Sequence, residues 1–136
     1  MSQTNELEIM ERIALDLEGV EESLASSFNT GAEDFNALIR PLSAAGGKRL
    51  RAQLCLLIAN AGTSVECHRI RIAEAVEMLH LATLIHDDVL DQAEIRRGED
   101  TIHMHKGNKV AILSGDYLFA KAFQIVSEMP NMKYLQ

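Results

Sequence analysis

Proline occurs only at positions 41 and 130, tryptophan is absent, and aromatic residues make up 4% of the 136-residue chain. A β-sandwich draws on aromatic and β-branched strands with frequent turns, so this composition argues against one. The cysteines are two, Cys55 and Cys67, in no metal-type pair. The stretch from Met1 to Glu11 is polar and acidic, unlike a secretory leader, and a reducing compartment is expected. No run approaches the ~20 apolar residues that cross a bilayer, so no transmembrane segment is expected and a cytoplasmic location is. What is present is Leu, Ile, Ala, Met and Val, which bring apolar content to 47% and favour helix. That suffices for one packed domain, 1–136.

The net charge of −7 is unevenly spread. Residues 1–40 hold nine acids against Arg12 and Arg40, whereas the remainder balances 11 acids with 11 Lys or Arg. A nucleic-acid partner is excluded, because counterion release needs a broad basic face. The downstream basic residues are clustered, which suits a local anionic ligand.

Leu7, Met10, Ile13, Ala14, Leu17, Val20 and Leu24 recur at helical spacing, predicting an amphipathic helix over 5–27. A short helix is expected from Glu33 to Leu42, then a small-residue loop from Ser43 to Gly47. Helix over Arg49 to Ala61 would pack through Leu50, Leu54, Leu57 and Ile58. A long helix from about Val65 to Gln92 follows, with Ile72, Val76, Leu79, Thr83, Val89 and Leu90 facing inward. The last helix covers roughly Asn108 to Ser127. No segment shows strict strand alternation, so the fold class is all-α.

Asp87, Asp88 and Asp91 carry the strongest chemical signal. On a helix Asp87 and Asp91 lie one above the other, with Asp88 beside them. Like charges at that spacing repel, and a hard cation such as Mg²⁺ turns the repulsion into binding. The plain alternative is a solvated acidic helix end. Gly46-Gly47-Lys48-Arg49-Leu50-Arg51 is the second signal. Glycines let a backbone approach an anion at a helix start, and Lys48 and Arg51, three apart, can converge on one diphosphate. Alternatively it is a basic helix start on the surface. Arg96 and Arg97 form the third signal; they could hold phosphate oxygens or simply pair with the aspartates. His80 falls two turns before Asp87 on about the same face. His68, His86, His103 and His105 read as structural or solvent-facing.

Taken together, GGKRLR at 46–51, HLATLIHDDVLD at 80–91, RRG at 96–98 and GNKVAILSGDYL at 107–118 resemble the trans-isoprenyl (polyprenyl) diphosphate synthases. The resemblance covers about 38–123. It implies an antiparallel helix bundle of the isoprenoid synthase type, of which this chain would be about the first half. It implies head-to-tail joining of isopentenyl diphosphate to an allylic diphosphate, with Mg²⁺ as cofactor. Asp87 and Asp91 would be the metal ligands with Asp88 in support. Lys48, Arg51, His80 and Arg97 would hold isopentenyl diphosphate, and Arg96 the allylic diphosphate. Small residues at Ala82 and Thr83 resemble the longer-chain enzymes and imply a product beyond C20. Homodimers are common in that family, so a homodimer or heteromer is expected.

Two departures stand out. Ala52 replaces the usual proline after GGKRLR, and the second aspartate-rich motif does not occur before Gln136. The chain alone is therefore expected to be inactive, either as a fragment or as a complementing subunit. A rival reading, the His86-Asp87 doublet of HD-type phosphohydrolases, leaves GGKRLR and RRG unexplained.

Overall fold

The computed structural model describes residues 3–44, 47–62 and 66–129. Its helices are α1 (Gln3–Ser27), α2 (Glu33–Ala44), α3 (Leu50–Asn60), α4 (Glu66–Leu90), α5 (Ile102–Lys106) and α6 (Asn108–Ser127). The expected all-α class holds, with one exception. A two-stranded antiparallel hairpin, β1 (Ile95–Arg96) and β2 (Glu99–Asp100), follows α4. Its two-residue loop, Arg97-Gly98, has positive φ at both positions, 54° and 86°. That is the backbone twist a tight hairpin favours.

α4 is the central element and packs against α6, α1 and α3. Its inward face is Ala73, Ala75, Met78, Ala82 and Ile85, which meets Val20 and Leu24 from α1, Phe28 just past it, and Leu118, Ala122 and Ile125 from α6 within one core. Small residues let the helices come close. A β-carbon on Gly115 would collide with the His86 ring, and one on Gly19 would lie 2.8 Å from Cδ1 of Ile70.

Buried polar groups fix the register between helices. Arg69 and Asp16, each 4% exposed, form an ion pair at 3.1 Å between α4 and α1. Asn60 of α3 donates to the same carboxylate. Glu74 is fully buried and accepts from Ser23, Ser27 and Arg71. Buried charge is tolerated only when paired and hydrogen-bonded in this way.

Several expected inward faces are corrected. Leu50, Leu54, Leu57 and Ile58 are all exposed, and α3 instead packs through Ala52 and Leu56. That helix is apolar nearly all round, so periodicity alone does not select the face that meets α4. Leu7, Met10 and Leu90 are likewise exposed, as is Thr83. α2 continues through Pro41 to Ala44, where a loop was expected from Ser43. Gly46, Val65 and Pro130 lie outside the described residues. α6 is also long and apolar enough to cross a membrane by length and composition, contrary to the expectation of no such stretch. Here its Ala111, Ser114, Leu118, Ala122 and Ile125 are buried, and it packs on α4.

Candidate functional site: a cationic pocket and an aspartate pair

α3 begins without a side-chain cap of its own. Arg49, its capping residue, is left-handed (φ 46°, ψ 37°) and makes no capping hydrogen bond. The first amides of a helix have no carbonyl within the helix to bond, so a partner must come from elsewhere. Glu77 of α4 supplies it: Ala52 N–H donates to Oε1 at 3.0 Å, and Arg49 Nη1 donates to Oε2 at 3.4 Å. The rest of the Arg49 guanidinium forks onto Glu21 of α1. Arg49 is thus tied into the fold, while Lys48 and Arg51 on either side are exposed.

Lys48, Arg51, His80 and Arg97, all expected to bind one diphosphate, line a single cavity of about 200 Å³. Arg51 Nη1 lies 3.1 Å from His80 Nε2. A guanidinium can only donate, so Nε2 accepts and the imidazole is neutral with its proton on Nδ1. Burial, then the nearby Arg51, hold the His80 pKa below its ordinary value, against an opposing pull from Glu77. Arg97 reaches across to the segment before α3, its Nη2 lying 3.0 Å from where a β-carbon on Gly47 would sit. Any side chain at Gly47 would crowd that guanidinium.

The aspartates divide into two roles. Asp87 and Asp91 are exposed, and the Asp91 amide bonds to the Asp87 carbonyl at 2.8 Å, carrying the helical spacing one residue past α4. Asp88 is buried, 4% exposed, and is gripped by Arg96 through Nε at 2.8 and 2.9 Å and Nη2 at 2.6 Å. The hairpin makes this return possible. Thr101 Oγ1 and His103 Nε2 both bond the Ala93 carbonyl, and the Thr101 amide bonds that of Glu94. For Arg96 the simple pairing with an aspartate is therefore the one observed; Arg97 lines the cationic cavity.

Among the described residues no three His, Cys, Asp or Glu side chains converge tightly enough to hold an ion unaided. The exposed oxygen donors of Asp87 and Asp91 nevertheless fit a hard cation that completes its shell with water and phosphate. Ala82 is buried in the core, and Thr83, exposed beside it, bonds the His80 carbonyl through Oγ1 at 2.7 Å. His86 turns away from Asp87 toward α6, where Nε2 meets the Ile112 carbonyl at 3.0 Å and Asp116 at 3.5 Å. That orientation leaves the phosphohydrolase doublet without support. Sequence reasoning missed Glu77 and Glu21, whose only sequence trace is an acid three residues before His80 and another 28 before Arg49.

A second, more apolar cavity of about 370 Å³ opens between α2, α4 and the hairpin, with Leu38, Leu42, Leu81 and Leu84 in its walls.

Residues 32–136 match the polyprenyl synthetase family. The chain belongs to that family. It is 35% identical over 135 residues to solanesyl diphosphate synthase 1, chloroplastic, of Arabidopsis thaliana, covering 94% of this chain and 33% of that protein. Identity to octaprenyl diphosphate synthase of Escherichia coli is 35% over 129 residues, covering 94% and 40%. The crystal structure of a polyprenyl synthase from Caulobacter crescentus, complexed with calcium and isoprenyl diphosphate, superposes with a TM-score of 0.86 at 38% identity. That match covers 93% of this chain and 39% of the Caulobacter chain. The polyprenyl synthetase segment therefore spans two fifths or less of these relatives, whose all-helical fold it shares.

Proposed function

We propose that this chain forms the isopentenyl diphosphate pocket and one metal-binding aspartate pair of a trans-prenyltransferase that makes a polyprenyl diphosphate longer than C20. The observation that carries this is the convergence of Lys48, Arg51, His80 and Arg97 on one cavity, with the exposed Asp87 about two turns beyond His80 on α4 and the exposed Asp91 just past its end. Fixed guanidinium and ammonium groups bind a diphosphate with charge-assisted hydrogen bonds, and the neutral His80 adds a donor at Nδ1. Asp87 and Asp91 would hold Mg²⁺, which supplies neutralisation of charge on the allylic diphosphate as it leaves. Asp88 orients this pair while Arg96 holds Asp88, so any contact of Arg96 with allylic phosphate is made from that anchored position. The leaving group departs with the electron pair of its C–O bond. The isopentenyl double bond then attacks the allylic cation, and a proton is lost from the new chain.

Long-chain relatives such as the octaprenyl and solanesyl synthases support the product class. Ala82 and Thr83 are proposed to leave the growing chain room. Elongation is assigned to the parent synthase in a cytoplasmic setting, with further metal ligands from outside these residues. A second reading, a complementing subunit of a heteromeric synthase, is favoured by the exposed Leu50, Leu54, Leu57 and Ile58.

The test is calorimetric titration of the chain with inorganic diphosphate, with and without Mg²⁺. Lys48→Ala and Arg51→Ala should each weaken binding about tenfold, the loss expected for one charged hydrogen bond. Asp87→Ala should remove the gain that Mg²⁺ gives. Unchanged affinity in a Lys48→Ala/Arg51→Ala double variant would overturn the assignment.

A further inference from the structure

The cationic cavity contains one carboxylate that its proposed ligand does not want. Glu77 lines the wall beside Lys48, Arg51 and His80 and is 6% exposed. A fixed negative charge beside a diphosphate repels it at any dielectric. On charge alone, then, Glu77 weakens the site it lines.

Its geometry points the other way. Both oxygens are engaged: Oε1 accepts the Ala52 amide at 3.0 Å, and Oε2 accepts Arg49 Nη1 at 3.4 Å. The first bond secures the opening turn of α3, which has no side-chain cap. The second draws Arg49 inward, and Glu21 holds the same guanidinium from α1. Lys48 precedes Arg49 and Arg51 follows two residues later, so fixing Arg49 and Ala52 brackets Arg51 and anchors the neighbour of Lys48. Ala52 matters for the same reason. It stands where the resembling family usually has proline, and its amide is a donor that proline would lack.

We propose that Glu77 is the positioning residue of this pocket, directing Lys48 and Arg51 toward the ligand by clamping Arg49 and the first turn of α3. This rests on reading the cavity as a diphosphate site.

Charge and position predict opposite signs, which makes the test decisive. Inorganic diphosphate is titrated into the wild-type chain and into Glu77→Ala and Glu77→Gln, with helicity followed by circular dichroism. Removing a negative charge alone tightens binding. Removing the clamp weakens it, by about tenfold for Glu77→Ala if a charged hydrogen bond is lost. Glu77→Gln keeps an acceptor for the Ala52 amide but turns a donor toward Arg49, so a smaller loss, about threefold, is expected. Leu56→Ala, a core change in α3 away from the cavity, serves as the control for stability alone. Wild-type or tighter binding by Glu77→Gln overturns the proposal, and this variant decides if Glu77→Ala does not fold. So does a Glu77→Ala loss that falls with Leu56→Ala on one line of affinity against stability. If Lys48→Ala and Arg51→Ala abolish binding while Glu77→Ala does not change it, the inference fails and the diphosphate reading stands. No binding by the wild-type chain overturns both.

Discussion

Arg96 Nη2 lies 2.6 Å from Asp88 Oδ1, with Nε shared between the two carboxylate oxygens at 2.8 and 2.9 Å. The middle acid of an aspartate-rich helix end is thereby bound to the hairpin that follows it. Removing one partner of a buried pair leaves the other charge uncompensated, typically at a cost of about 3–5 kcal/mol. Arg96 is 31% exposed, so a cost of about 2–3 kcal/mol is expected for Arg96→Ala, with water offsetting the remainder. Ile95→Ala, an exposed position on the same strand, should cost much less stability. Urea denaturation of the two variants compares them, and equal losses would show that the ion pair does not anchor the hairpin.

His80 gives a pH dependence with a defined sign. Its pKa is lowered in the folded chain by burial and by Arg51, so the unfolded state takes up a proton first as pH falls. Above the ordinary histidine range this group does not change stability. As pH drops through about 6.5, the unfolded value, stability declines, and the decline levels off below the folded pKa. His80→Gln should flatten the curve of denaturation midpoint against pH over that window. An identical curve for both proteins would refute the assignment of a neutral His80.

Gly115 and Gly19 provide a matched pair. Glycine to alanine within a helix gains about 1 kcal/mol of propensity when the space is free. At Gly19 the obstacle is the flexible tip of Ile70, and Gly19→Ala should be close to neutral. At Gly115 a methyl meets the His86 ring, itself fixed by the Ile112 carbonyl. Gly115→Ala should cost about 1–3 kcal/mol through overpacking. Thermal melts of the two variants settle the order, and a more stable Gly115→Ala would mean α4 and α6 sit further apart than described.

On α3 the two faces should respond oppositely. Leu56→Ala removes a fully buried side chain and should cost about 2–5 kcal/mol. Leu54→Glu and Ile58→Glu change exposed positions and should leave the melting temperature nearly unchanged while reducing self-association. Sedimentation velocity beside circular dichroism reads both. A large loss of helix from Leu54→Glu would mean that this face is packed after all.

Much of the architecture was legible in the residue pattern. α6 begins and ends where the periodicity places it, and α4 agrees within two residues at either end. Lys48, Arg51, His80 and Arg97, singled out from three separate stretches of sequence, line one cavity. Three features were not legible, each for a physical reason. The inward face of α3 could not be chosen because apolar residues surround it. The parting of Arg96 from Arg97 depends on a hairpin two residues wide, too short to leave an alternation signal. Glu77 acts on a helix 25 positions earlier, and nothing local marks an acid that caps a distant amide.

The tight Arg97-Gly98 turn makes the hairpin a gauge of chain length. Arg96 closes the strand and Arg97 opens the turn, so the place of the turn decides which arginine grips Asp88 and which lies beside Lys48 and Arg51. Moving the turn by one residue would exchange those places. The two adjacent arginines are chemically identical and differently placed, and what separates them is counting.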